Sequence, residues 1–220
     1  MGTDDLQSLH LLEAPWSARH GRVAIAISRL IDVTIALAML CMLAVPMLVV
    51  SLVVKLTSRG PIVYRQQRVG LHGRLFTMFK FRTMRVDAEA ATGPVWSTAG
   101  DTRCTCVGSF LRRSSLDELP QLVNVLKGEM SLVGPRPERP YFVREFSQRL
   151  PHYSRRLQVP PGLTGWAQVN GWRGDTSLEA RLDHDLYYID HWSVAFNVWI
   201  ILLTPFRVLA QQLRKQPHGS

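Results

Sequence analysis

The chain has 220 residues, 46% hydrophobic and 20% charged, and 26 Lys and Arg against 17 Asp and Glu give it a formal net charge of +9. That composition supports one domain plus one membrane element, with a positive surface suited to anionic lipid, a phosphorylated group or nucleic acid. No RNA-binding signature, zinc-finger spacing or helix-turn-helix cue accompanies the charge, so nucleic acid is the minor reading. Three cysteines, Cys41, Cys104 and Cys106, are odd in number and lack C-x-x-C spacing, which argues against a disulfide framework or zinc site and fits a reducing cytoplasmic location.

In chain order, residues 1–22 read as a polar leader without chemistry. Val33 to Val54 is a run of 22 residues without a charge, long enough at about 1.5 Å per residue to cross a roughly 30 Å hydrocarbon layer. Cys41 inside it reads as a packing residue. Arg19, Arg22 and Arg29 precede the run and Lys55, Arg59, Arg65 and Arg68 follow it. A single span leaves its positive excess on one side. Positive charge on both sides, with Pro46 in the middle, predicts a broken, re-entrant membrane helix over 23–56; a plain single-pass anchor is the alternative.

Residues 57–210 read as the main domain. Gly60-Pro61 is a turn, Ile62 to Tyr64 a short strand, Val69 to Gly73 a connection and Leu75 to Phe81 a second strand, together a hairpin on the membrane surface. Arg65 and Arg68 read as its solvated interfacial face. A variable-looking loop over 87–106 holds Gly93-Pro94, Asp101 and Trp96, the last a cover for a site. Val107 to Leu111 then leads into Arg112 and Arg113.

Leu119, Leu122, Val123 and Leu126 are spaced i, i+3, i+4, i+7, which predicts a helix stopped at Gly128. Pro120 belongs in its first turn, where a missing N–H has no partner to lose. Asp117 then falls at or near the N-cap. There the helix dipole favours a carboxylate or bound phosphate and keeps Asp117 ionised, a nucleophile beside Glu118 as holder of a divalent cation. The plainer reading is a capping residue and a solvated first turn, with Ser115 in a capping box. Downstream, Arg136 stands between Pro135 and Pro137, and a short helix from Pro140 turns Tyr141, Phe142 and Phe146 inward. His152 reads as a surface residue. Pro161 to Asp175 is a pair of turns around a short strand, a last helix carries Asp183 and Asp185, and Val194 to Phe206 reads as an amphipathic helix in the headgroup layer, too short to span. Residues 211–220 are a basic tail.

The string from Arg112 to Glu138, with its Asp-Glu pair, L-P-Q-L, N-V-L-K-G, M-S-L-V-G and P-R-P, resembles the bacterial sugar transferase family, the small monotopic phosphoglycosyl transferases. The resemblance extends over about residues 25–208. It implies an α+β, mostly helical monotopic fold with a re-entrant Pro-kinked helix, although this chain has Val45-Pro46 where the family has Ser-Pro. It implies transfer of a sugar 1-phosphate from a UDP-sugar to undecaprenyl phosphate with Mg²⁺, at the cytoplasmic face of the bacterial inner membrane, by one catalytic module without the extra membrane domain of longer relatives. Asp117 would be the nucleophile and Glu118 the metal ligand. Lys80 and Arg82 match the family's K-F-R-[ST]-M element near the substrate phosphates, and Arg112, Pro135, Arg136 and Pro137 match phosphate-contacting positions. Gln168 falls in a block that helps form the nucleotide pocket. Asp185 matches an acidic position near the site. The W-R-G-D-T segment is similar to members that begin exopolysaccharide synthesis with glucose. A homodimer stays open. The competing function is a catalytically silent scaffold of a polysaccharide assembly complex, which a broken Asp-Glu pair or P-R-P would mark; neither is broken here.

Overall fold

A computed structural model of the chain describes Trp16, residues 20–89, Gly93, residues 101–174 and residues 176–214, the last four as helix backbone. The expectations for the start of the leader, for Trp96 and for the end of the basic tail lie outside the described residues.

The long apolar run forms two helices in place of one. α1 covers Arg22–Met42 and α2 covers Ala44–Thr57, with Leu43 between them at φ −95°, ψ 7°. Pro46 explains the break: it has no N–H to give to Met42, and its ring crowds that carbonyl four residues back. The flanking bonds survive, Leu43 N to Met39 O and Met47 N to Leu43 O, both 2.8 Å, so the interruption is local and sits three residues before the proline. α1 has 21 residues and is long and apolar enough to cross a membrane, with 11% of its most apolar stretch buried. Cys41 is exposed rather than packed. Leu37, Leu48 and Leu56 are likewise exposed, so much of the apolar surface of these two helices has no protein against it.

Ser28, Arg29 and Asp32 of α1 face the domain, while Arg22 and Thr34 are exposed. Arg29 donates to Val125 O at 2.6 Å and Leu126 O at 2.9 Å. Its charge therefore caps the last turn of a helix in the domain, where carbonyls lack partners and the dipole is negative; it is no lipid-flanking charge. Asp32 is buried and accepts from Leu132 N at 3.0 Å.

β1 (Val63–Val69) and β2 (Leu75–Phe81) pair antiparallel with Val63 opposite Phe81, so β1 runs five residues further than the hydrophobic pattern predicts. α3 covers Cys106–Ser114 and ends at Ser115, held left-handed at φ 59°. A single 3₁₀ turn, Leu116–Glu118, precedes α4, Gln121–Lys127, which stops at Gly128 with φ 82°. β3 (Ser131–Val133) leads into the Pro-Arg-Pro segment, then α5 covers Pro140–Arg149, β4 Gly162–Thr164, α6 Trp166–Val169, α7 Leu178–Asp190 and α8 Val194–Arg214.

β3 and β4 form a second, parallel pair that the sequence patterns do not suggest. It depends on glycine. A Cβ on Gly162 would lie 2.1 Å from Gly134 N, and one on Gly134 2.3 Å from Pro160 O, so the two backbones touch where any side chain would part them. The main core gathers α1, α4, β2, β3, α7 and α8 around Leu122, Val125, Met130 and Ile200, all at most 1% exposed. A second cluster packs α5 through Phe142 and Phe146 against Tyr153 and Leu182. Tyr141 faces outward, since it falls on the opposite side of α5 from those two rings.

The fold is thus mostly helical with one small antiparallel hairpin, as expected.

Candidate active site

Leu116 and Leu119 pack against the cluster of Val54, Phe81 and Leu111. Those two anchors hold the tight turn between α3 and α4, and the carboxylates between them meet the cations of other elements. Asp117 is 6% exposed. Lys80, which follows Phe76 and Met78 on the same face of β2 where alternation would place another apolar residue, donates to Glu118 Oε1 at 3.0 Å. Arg136 grips both oxygens of the same carboxylate, Nη1 to Oε2 at 3.2 Å and Nη2 to Oε1. This is the bidentate fork that guanidinium geometry favours. Asn124 fixes the distance between the two sides of the site: from α4 it accepts from Phe79 N at 3.1 Å and donates to Thr77 O at 2.7 Å, docking the helix onto the backbone of β2 beside Lys80.

Arg136 is held by its own backbone neighbourhood. Residues that precede proline favour extended conformations, which leaves the carbonyls of the Pro-Arg-Pro segment for other elements. Pro135 O accepts from Gly162 N at 2.9 Å, Arg136 O from Arg156 Nη2 at 3.1 Å and Pro137 O from Arg68 Nη1 at 3.1 Å. Three consecutive carbonyls are therefore pinned by three separate parts of the chain. Arg156 is fixed in turn by Asp185 Oδ2 at 2.7 Å and Tyr153 Oη at 2.7 Å, and Glu138 binds Arg181 and Arg68.

The adjacent carboxylates differ in charge state. Burial pushes Asp117 up to about 6, with Lys80 opposing the rise and the Glu118 charge adding to it. Burial also disfavours the Glu118 anion, yet Arg136 and Lys80 together outweigh it and hold that carboxyl well below the usual carboxylate range. Asp117 lies in the 3₁₀ turn, while Pro120 takes the N-cap position of α4 with helical angles. The expected N-cap position of Asp117 is thus corrected: it lies outside the helix N-terminus, and desolvation rather than a helix dipole governs its pKa, raising it. Ser115, left-handed and with no side-chain cap bond, forms no capping box.

The remaining predicted residues divide. Arg112 donates through Nε to Thr83 Oγ1 at 3.0 Å and its charge acts on Asp117. Arg82, expected beside Lys80, instead donates to Ser58 O and Ser58 Oγ at 2.7 Å and to Pro61 O, so it caps the end of α2 and fastens it to the hairpin. Gln168 donates to Leu163 O at 2.9 Å while its buried Oε1 has no partner among the described residues. Asp185 meets the site only at one remove, through Arg156. Arg68 is 15% exposed and bound to Glu138, not a solvated interfacial charge. Sequence reasoning passed over Asn124, Glu138, Arg156 and Arg181. The one signal it had was a polar side chain on an apolar face, as for Asn124 between Val123 and Val125. Among the described residues no group of three metal-ligating side chains occurs. Glu118 is kept anionic, the donor type a Mg²⁺ shared with substrate phosphates and water would need, but with both oxygens held by Arg136 and Lys80 it would take the ion only as those cations turn to the substrate.

The family model described as bacterial sugar transferase matches residues 23–211. The chain belongs to the bacterial sugar transferase family. Over 170 residues it is 51% identical to a UDP-glucose:undecaprenyl-phosphate glucose-1-phosphate transferase of Xanthomonas campestris pv. campestris, covering 76% of this chain and 35% of that protein. It is 44% identical over 180 residues to a protein of the same name from Escherichia coli, covering 80% and 39%. A Bacillus subtilis protein named uncharacterized sugar transferase EpsL is 41% identical over 186 residues, covering 84% of this chain and 89% of its own length. The chain thus spans between about a third and two fifths of the two named glucose-1-phosphate transferases. The bacterial sugar transferase match includes α1 and α2, the carboxylate turn and the Pro-Arg-Pro segment.

Proposed function

We propose that the protein transfers a sugar 1-phosphate, glucose in the first instance, from a UDP-sugar to undecaprenyl phosphate and releases UMP, as the first membrane step of an exopolysaccharide, capsule or O-antigen. The observation that carries this reading is the buried Asp117 beside a Glu118 whose carboxylate is bonded to Lys80 and Arg136, in a site that Arg112 also reaches. The names of the relatives supply the substrate classes.

In this mechanism an Asp117 Oδ attacks the β-phosphorus of the UDP-sugar. The bond from that phosphorus to the oxygen bridging the two phosphates breaks, and UMP leaves with the electron pair. A phosphate oxygen of the lipid then attacks the same phosphorus and returns Asp117 as a free carboxylate. Arg136, whose backbone the pinned Pro-Arg-Pro carbonyls fix, and Lys80, carried on β2 beside the Asn124 bonds, stand ready to neutralise charge on the transferring group as they turn from Glu118 to the phosphate. Glu118 would hold Mg²⁺ with the diphosphate oxygens, which adds Lewis-acid charge neutralisation.

The second substrate is a lipid, so docking at the membrane belongs to the same proposal. The uncovered apolar surfaces of α1 and α2, with Trp199, Leu202 and Phe206 exposed on α8, would lie in one leaflet of the inner membrane. The Leu43 break would return α2 to the cytoplasmic face on which α1 began.

The test is UMP release from a panel of UDP-sugars by detergent-purified protein with Mg²⁺ and undecaprenyl phosphate. Lipid-dependent release with one sugar establishes reaction and donor together. No release from any donor would put the silent scaffold ahead.

A further inference from the structure

The Gly171–Gly174 segment between α6 and α7 belongs to no part of the mechanism above, yet it reaches the site. Gly171 and Gly174 both lie in the left-handed region, at φ 90° and 71°, which only glycine adopts without strain. The loop between them is tied at both feet. Trp172 N donates to Ala167 O at 2.9 Å and its ring lies 5.9 Å from that of His184. At the other foot Arg181 Nη2 donates to Gly174 O at 2.7 Å while its Nη1 holds Glu138, two residues from Arg136.

Arg173 stands between these anchors. Its Nη1 is 3.5 Å from Ser115 Oγ, two residues before Asp117, and no carboxylate among the described residues pairs with it. The charges that act on it are those of the site: Arg136 against it, Glu118 and Asp117 in its favour. Glu118 is already taken by Arg136 and Lys80. A half-buried guanidinium near Arg136, with the nearest carboxylate already shared by two cations, gains from a further anion in that space, and the loop's anchors keep residue 173 beside the site.

We propose that Arg173 is a phosphate-binding residue of this site, receiving a non-bridging phosphate oxygen of a substrate held over Asp117. The inference rests on the reaction proposed above for the identity of the substrates. Two sources share the chemistry, the diphosphate of the UDP-sugar and the headgroup of the polyprenyl phosphate, and the guanidinium fork suits either.

The experiment measures binding without turnover, using the full chain in detergent with UDP and a short-chain prenyl phosphate as separate probes, for wild type, Arg173→Gln and Arg173→Lys. Loss of one charge-assisted hydrogen bond predicts weaker binding by about 10- to 100-fold for Arg173→Gln. Arg173→Lys is expected to recover part of it and the unfolding midpoint to stay unchanged. Weakening for UDP alone assigns the diphosphate, and weakening for the prenyl phosphate alone assigns the lipid headgroup. Equal affinity of wild type and Arg173→Gln for both probes overturns the proposal, as does a loss that Arg173→Lys does not ease and that comes with a lowered unfolding midpoint. Failure of wild type to release UMP from any UDP-sugar would refute the reaction, and the binding result would still decide Arg173.

Discussion

Behind the Pro-Arg-Pro segment, Asp185 and Glu138 face Arg156 and Arg181 with all four side chains between 3% and 7% exposed. In front of it, Glu118 faces Lys80 and Arg136 at 18%, 16% and 28%. The same residue types serve opposite ends. The rear groups are sealed, with Glu138 shared by Arg181 and Arg68, and Arg156, Arg181 and Arg68 also bond main-chain carbonyls, so their energy goes into holding backbone, above all Arg136 O. The front groups are open and rich in cations, with two sharing one carboxylate and Arg173 nearby, so they have attraction to spare for an incoming phosphate.

The comparison can be broken at either side. Asp117→Asn keeps the shape of the front cluster and removes the nucleophile proposed above. UMP release should fall by about 10³-fold or more with an unfolding midpoint at neutral pH no lower than that of wild type, because the neutral amide escapes the desolvation cost of the buried carboxylate; undiminished activity would keep the enzyme and sink the covalent step. Asp185→Asn leaves Arg156 buried without its anion, and the expected loss is about 3–5 kcal/mol, read by denaturant unfolding in detergent. If it unfolds like wild type, the rear cluster is not the fixture described. Arg136→Lys keeps the charge and loses the fork, so kcat/KM should drop about 10- to 100-fold with a much smaller change in stability.

A pH profile sharpens the contrast between the two front carboxylates. Burial lifts Asp117 to about 6, against about 3.9 in an unfolded chain. The folded state therefore binds that proton more tightly, and between about pH 4 and 6 this group removes stability as pH rises. The attacking anion dominates only above about 6. The free-enzyme kcat/KM should fall about tenfold per pH unit below that value, while Glu118, held far lower, adds no inflection there. A flat profile from pH 5 to 8 would mean that Asp117 is ionised throughout. The smallest effect is expected from Arg29→Ala, about 1 kcal/mol of stability from the lost cap on α4, measured as a shift in denaturant midpoint.

What could be read without coordinates was local. Pro120 and Gly128 bracket α4 because backbone chemistry limits each to one end of a helix, and Leu75 to Phe81 alternates as a strand must. The Asp117-Glu118 pair and Arg136 stood out because their flanking prolines and leucines form a long, specific string. Pro46 announced a break in the membrane segment. Tertiary structure decided everything that depends on which distant group lies opposite. Lys80 and Arg82 are two residues apart and chemically alike, yet one faces Glu118 and the other caps α2, because β2 ends between them at Phe81. Arg68 reads from the sequence as a solvated charge and Arg156 draws no reading at all, yet each donates to a Pro-Arg-Pro carbonyl. Adjacency put Asp117 next to Glu118, but only packing could place one carboxyl in a desolvated turn and the other between two cations, since a pKa is set by the surroundings in space and not by the neighbour in the chain.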